Sequence, residues 1–164
     1  MQDIVEISKI KELLKNVHDP EIPVLTIEDL GILGDIRQSE DGIEIDITPT
    51  YSGCPAMNTI QSEIRMLMSA EGIPAKVNLV LSPAWSTDRM SEDGKRKLKE
   101  YGIAPPKDEE INIDTLFGHP EGIECPLCGS KNTEMVSLFG STACKALYKC
   151  KDCLEPFDYF KCLK

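Results

Sequence analysis

The sequence is poor in histidine, short of positive charge and without a long apolar run, and each shortage removes a class of function. His18 and His119 are the only histidines among 164 residues. Neither stands in a recognisable catalytic context, which argues against a cysteine protease. His18 reads as a turn residue before Asp19, and His119 as part of a connecting segment. The paired Glu-x-x-His helices of a di-iron carboxylate site are missing, as is a Gly-rich dinucleotide fingerprint. Acidic residues number 28 against 18 basic ones, for a net charge of −10. A nucleic-acid binder needs excess Lys and Arg to displace counterions, so the balance favours protein partners over nucleic acid. No apolar run approaches the ~18–20 residues of a membrane span. The start, Met1-Gln2-Asp3-Ile4-Val5-Glu6, has neither the basic nor the apolar part of a secretory signal. The expectation is a cytoplasmic protein that does not enter a membrane. No internal repeat or low-complexity tract is visible, and 41% hydrophobic residues suffice for a core.

What is present is unevenly distributed. Residues 1–120 carry 22 acidic and 12 basic side chains, whereas residues 121–164 carry six of each. Ile7, Ile10, Leu13, Leu14 and Val17 recur at near-helical spacing, which predicts an amphipathic helix over about 4–17. Asp19-Pro20-Glu21-Ile22-Pro23 breaks it, since two prolines forbid continuation. Thr26 and Asp29 resemble a short helical cap. Ile32 to Gln38 and the strictly alternating Ile43-Glu44-Ile45-Asp46-Ile47 flank an Asp-Gly turn and predict an antiparallel hairpin. Pro55 suits a first helical position, followed by the stripe Met57, Ile60, Ile64, Leu67 and Met68. Ala75 to Leu81 reads as a third strand, and Ser91 to Tyr101 as a charged helix stopped by Gly102. Met57, Met66 and Met68 read as core and helix surface, and Trp85 as a structural anchor. The expected fold is α+β, a small mixed sheet with helices on one face, followed by a cysteine-rich zinc-ribbon-like module. The expected division is an α+β domain over 1–102, a linker over 103–120, from which Ile111, Ile113, Leu116 and Phe117 could dock back, and the module over 121–164.

Six of the seven cysteines fall in the last forty residues. In a reducing compartment such crowding points to metal ligation before disulfides, and the odd total argues against full pairing. Cys125-Pro126-Leu127-Cys128 and Cys150-Lys151-Asp152-Cys153 are two CxxC pairs, each able to aim two thiolates at one ion, and together they predict a tetrahedral S₄ site. Gly129 permits the tight turn after the first pair. The segments 133–139 and 146–149 suit a β-hairpin. A unit of some forty residues buries too little surface to fold unaided, so metal binding would supply folding free energy of ~10 kcal/mol or more. Zinc in a structural role is favoured; iron with the same ligands, or an iron–sulfur cluster, is the alternative. Cys144 and Cys162 are left over, as buried thiols, a pair or cluster ligands.

Cys54 stands alone at the expected N-cap of the helix that Pro55 begins. Free backbone N–H groups and the helix dipole there would favour a thiolate with a depressed pKa. Thr50 and Ser52 add hydroxyls, and Gly53 lets the backbone bend. Such a thiol suits a nucleophile, a redox group or a ligand to metal in transit; the plain alternative is a small residue packed beneath the loop.

Asp19-Pro20-Glu21-Ile22-Pro23, Leu30-Gly31-Ile32 and Gly53-Cys54-Pro55 together resemble the SufT-like iron–sulfur assembly domain. Phe139-Gly140-Ser141-Thr142-Ala143-Cys144-Lys145-Ala146-Leu147-Tyr148-Lys149-Cys150 and Glu155-Pro156-Phe157-Asp158-Tyr159-Phe160-Lys161-Cys162 are similar to the PaaD/PaaJ family, the D subunits of the phenylacetyl-CoA epoxidase system. Pro83-Ala84-Trp85-Ser86-Thr87-Asp88 and Tyr101-Gly102-Ile103-Ala104-Pro105-Pro106 fit the same pattern. The resemblance implies a non-catalytic accessory protein of aerobic phenylacetate degradation that assists assembly or upkeep of iron or iron–sulfur centres. The epoxidation would belong to a di-iron subunit fed by a flavin and iron–sulfur reductase, and these oxygenase subunits are the implied partners. Cys54 would match the assembly-domain cysteine, and Cys125, Cys128, Cys150 and Cys153 the ribbon's ligands; Cys144 and Cys162 lie in family-typical strings. The rival reading is a stable structural or regulatory subunit with a purely structural zinc. A thiol redox enzyme finds no CxxC beside a βαβ pattern to support it.

Overall fold

The computed structural model describes residues 6–106 and 122–160. Cys162 lies outside the described residues, as do Ile111, Ile113, Leu116, Phe117 and His119 of the expected linker. The contacts divide the described chain into two units. One runs up to Trp85 and takes in Arg89–Ser91; the other holds Ser86–Asp88 and everything described from Glu92 onward.

In the first unit, α1 spans Ile7–Leu14 and buries Ile10 and Leu14. The Asp-Pro-Glu turn follows, with His18 exposed and bridged to Thr26. Thr26 and Asp29 form a reciprocal capping box: the Asp29 N–H donates to Thr26 Oγ1 at 3.0 Å and the Thr26 N–H to Asp29 Oδ2 at 3.2 Å. It closes a turn rather than opening a helix, because Gly31 follows with φ 70°. A Cβ at Gly31 would lie 2.2 Å from the Arg89 carbonyl oxygen, so both conformation and space require glycine.

Strands β1 (Leu33–Ser39) and β2 (Gly42–Ile47) form the expected antiparallel hairpin. A bulge between Leu33 and Ile36 sets two residues of β1, Gly34 and Asp35, opposite one of β2, Asp46. Helix α2 (Ala56–Ala70) crosses over to β3 (Ala75–Leu79), which pairs parallel to β2, so the sheet is mixed with order β1-β2-β3. Ile43, Ile45, Ile47 and Val77 are buried, as are Met57, Ile60, Ile64 and Met68 of α2. The opposite face is polar: Arg37 Nη1 and Nη2 reach Asp46 and Glu44, each at 2.6 Å, and Asn78 donates to Asp46 at 3.1 Å. Trp85 is buried and donates from Nε1 to the Leu30 carbonyl at 2.7 Å, which makes it a structural anchor.

The second unit contains α3 (Glu92–Glu100) and a four-stranded sheet. Strands β4 (Ile103–Ala104), β5 (Thr133–Ser137), β6 (Lys145–Cys150) and β7 (Pro156–Phe160) take the order β4-β7-β6-β5. The contacts therefore divide the chain well before residue 102, where the sequence reading put the boundary. The physical reason is β4: Ile103 and Ala104, in the expected linker, pair in parallel with Asp158 and Tyr159 and carry α3 with them. Ala104, Ile123, Cys125, Ala146, Tyr148, Cys150, Phe157 and Tyr159 form the core of this unit. Tyr148 stacks on Phe157 and meets Tyr159 edge-on. Among the described residues, no helix is long and apolar enough to cross a membrane.

Candidate functional site

The two CxxC turns fold alike. In each, the N–H of the leading cysteine donates to the carbonyl five residues on: Cys125 to Ser130 at 2.8 Å, and Cys150 to Glu155 at 3.0 Å. In each, the residue after the second cysteine is left-handed, Gly129 at φ 76° and Leu154 at φ 66°. Because β5 and β6 pair with Thr133 opposite Cys150, the hairpin brings the two turns together.

The four sulfurs of Cys125, Cys128, Cys150 and Cys153 lie within 4.8 Å of one another. Four ligands at ~2.3 Å from one ion define a tetrahedron with edges of about 3.8 Å. The Cys125–Cys153 and Cys128–Cys150 separations are 3.8 and 3.6 Å. The donor set and its spacing fit a thiolate-bound zinc. Cys125 and Cys150 are buried, Cys153 is half-buried and Cys128 is exposed. The thiols do not share their protons evenly. The Cys153 backbone N–H holds Cys150 down to about 7. For Cys153 the Glu155 N–H pulls downward, but burial and the thiols of Cys150, Cys128 and Cys125 push it up to about 12. Loading such a cluster with a metal displaces protons, so affinity rises with pH.

Around the sulfurs, Asp152 accepts from the Ser130 hydroxyl and from Asn132 Nδ2 at 3.0 Å, bonds that hold its carboxyl below the usual range. The sequence reading missed this trio; its only local signal was an acid inside the second CxxC turn. Cys144 is buried beside the Thr142 hydroxyl, 3.0 Å away, and is not brought to the four-cysteine cluster.

Cys54 differs from its expected setting in two respects. The N-cap of α2 is Pro55, so Cys54 sits one residue earlier; its carbonyl accepts from the Met57 N–H at 3.2 Å. Its thiol is pushed up rather than depressed. Burial is the main cause, and the charges of Glu21 and Asp19 add to it, outweighing hydrogen bonds from the Ala56 N–H and the Tyr51 hydroxyl. Thr50 is buried and Ser52 exposed, and Gly53 has φ 80°. The Asp19-Pro20-Glu21 turn is what the local reading left out of the thiol's surroundings. Asp19 is itself buried, its Oδ1 accepting from the N–H groups of Glu21 and Ile22 at 2.8 and 2.9 Å. Burial and the charges of Glu21 and Asp19 favour the protonated thiol over the thiolate, and the same two charges favour a cation there.

Comparison with known proteins finds two family matches, one in each part of the chain, with residues 82–109 in neither. Residues 7–81 match the iron–sulfur cluster assembly protein family, and residues 110–161 match the PaaD zinc β-ribbon domain. A protein of Escherichia coli (strain K12), provisionally named as the D subunit of 1,2-phenylacetyl-CoA epoxidase, is 48% identical over 96% of this chain and 94% of its own. An Fe–S protein maturation auxiliary factor of Porphyromonas gingivalis is 36% identical over 54% of this chain and 87% of its own. The crystal structure of a DUF59 domain, of unknown function, from Bacillus anthracis has a TM-score of 0.51 at 33% identity. That match covers 56% of this chain and 89% of the other.

Proposed function

The chain belongs to the PaaD family of phenylacetyl-CoA epoxidase D subunits, and from that premise we propose that it is a non-catalytic accessory protein which helps build or maintain an iron or iron–sulfur centre in that oxygenase system. The observation that carries this reading is the setting of Cys54. The thiol lies half-buried ahead of α2, beside Asp19 and Glu21, in the unit that matches the iron–sulfur assembly family. Without cargo, burial and the two carboxylates keep the sulfur protonated. An arriving iron cation is attracted by the same carboxylates and displaces the proton, so the thiolate forms only as the metal binds. The Tyr51 hydroxyl and the Ala56 N–H are already aimed at the sulfur and would steady it. Cargo held by one sulfur in an otherwise polar loop can be passed on, whereas four thiolates closed around zinc cannot release it easily. The ribbon accordingly serves as the structural and docking part, with the reductase or the di-iron subunit as client.

The experiment is to purify the epoxidase subunits from cells carrying either the native chain or Cys54→Ser, and to measure iron and acid-labile sulfide in each. The expected result is a several-fold lower metal content in the subunit served by Cys54→Ser, with the variant itself still folded. Equal metal content and equal growth on phenylacetate would favour a stable structural subunit instead.

A further inference from the structure

The two CxxC turns are joined at a second place, away from the sulfurs. Asp152 lies between Cys150 and Cys153, and both of its carboxylate oxygens are taken by the other turn: one accepts from the Ser130 hydroxyl, the other from Asn132 Nδ2 at 3.0 Å. Ser130 and Asn132 are themselves tied, the Asn132 N–H donating to Ser130 Oγ at 3.0 Å. The Lys151 N–H closes the circuit by donating to the Asn132 carbonyl at 2.8 Å. Hydrogen bonds thus connect residues 130 and 132, past the first ligand pair, with residues 151 and 152 inside the second CxxC turn.

These bonds lie at the open side of the site. A shallow cleft is lined by Cys128, Gly129, Ser130, Asp152 and Cys153, and Cys128 is the exposed residue of the four. Cys125 and Cys150, on the covered side, are buried in the unit's core, and Cys153 packs against it. An ion leaving the four sulfurs must therefore part the turns on the side where Ser130 and Asp152 meet.

We propose that Asp152 is a positioning residue that latches the two CxxC turns together at this edge and sets how fast the ribbon's metal exchanges. While the latch holds, a sulfur that lets go stays close to the ion and rebinds before a second one follows. When it is broken, the turn carrying Cys128 swings away from the turn carrying Cys153, and the ion is exposed to competing ligands. This concerns the ribbon alone and stands whether or not the first unit handles iron.

The test uses the full zinc-loaded chain and follows zinc capture by the chromophoric chelator 4-(2-pyridylazo)resorcinol, with cobalt substitution as a check on site geometry. Asp152→Ala should release zinc roughly 10–100-fold faster, the range typical for groups that orient metal ligands. Its cobalt form should keep the absorption of a tetrahedral thiolate site. Asp152→Asn retains an acceptor for Asn132, while its amide can donate to Ser130, whose hydroxyl rotates to accept. It should therefore stay within about threefold of the native rate. Should Asp152→Ala fail to bind cobalt, the pair Ser130→Ala with Asn132→Ala, which keeps the carboxylate, decides: fast release supports the latch and native release refutes it. An Asp152→Ala rate within about twofold of native would overturn the proposal. So would an Asp152→Asn rate equal to that of Asp152→Ala, which would assign the effect to charge.

Discussion

Gly129 and Leu154 occupy the same place in the two halves of the metal site: each follows the second cysteine of its CxxC turn, and each has a left-handed backbone. Glycine adopts that conformation without cost. Leucine there gives up about 1 kcal/mol or more to the contact between its Cβ and the neighbouring carbonyl. The Leu154 side chain is 65% exposed, so little packing repays this. Leu154→Asn should stabilise the zinc-loaded ribbon by about 0.5–1 kcal/mol, since asparagine tolerates this region. A thermal unfolding midpoint that is unchanged or lowered would contradict the assignment of strain to this turn.

Removing the metal should have a local effect. Replacing any of Cys125, Cys128, Cys150 or Cys153 by serine, or treating the chain with a strong chelator, should unfold the second unit, because metal ligation contributes about 10 kcal/mol or more to small thiolate ribbons. The first unit has its own core around Ile45 and Ile60 and should persist. Backbone amide spectra recorded with and without zinc check this: loss of dispersion confined to the second unit is expected, and a metal-free ribbon that keeps its dispersion would count against it.

Cys54 should be slow to alkylate at neutral pH. Burial, Glu21 and Asp19 raise its pKa above that of a free thiol, so the midpoint of the rate against pH should lie above the ordinary thiol value. Glu21→Gln removes one of the opposing charges and should lower that midpoint. The sign for stability follows: a folded-state pKa above the unfolded one means that the contribution is present below the unfolded value and lost as pH rises through the folded one. A Cys54 midpoint below that of a free thiol in the native chain would show that the helix end, not burial and the carboxylates, governs the sulfur.

Gly31→Ala should cost the first unit about 3 kcal/mol, from the left-handed backbone and from a methyl group driven into the Arg89 carbonyl. Urea unfolding of the zinc-loaded chain measures it. A loss below about 0.5 kcal/mol would mean that the Arg89 segment shifts freely.

Local pattern revealed the parts whose causes are local. The alternation from Ile43 to Ile47, the stripe from Met57 to Met68 and the two CxxC pairs each signal burial or ligation within a few residues. What escaped depends on distant partners. Ile103 and Ala104 have no periodicity of their own and become a strand because β7 lies beside them. The thiol of Cys54 was read from its own loop, while two of its influences, Asp19 and Glu21, sit far earlier in the chain. Nothing local marks Asp152, because its partners Ser130 and Asn132 are distant in sequence. Residue identity announced the metal site; the groups that orient it became visible only with the chain folded.

The pairing of β4 with β7 also bears on which strand edge the second unit covers. Ile103 and Ala104 cover backbone groups of β7 at Asp158 and Tyr159. A fragment beginning at residue 110, where the ribbon family match starts, keeps every described metal ligand but leaves that edge open. Its exposed amides and carbonyls, next to Phe157, Tyr159 and Phe160, would form a template for a strand from another molecule. Such a fragment should bind zinc and still aggregate, whereas one beginning ahead of α3 should remain monodisperse.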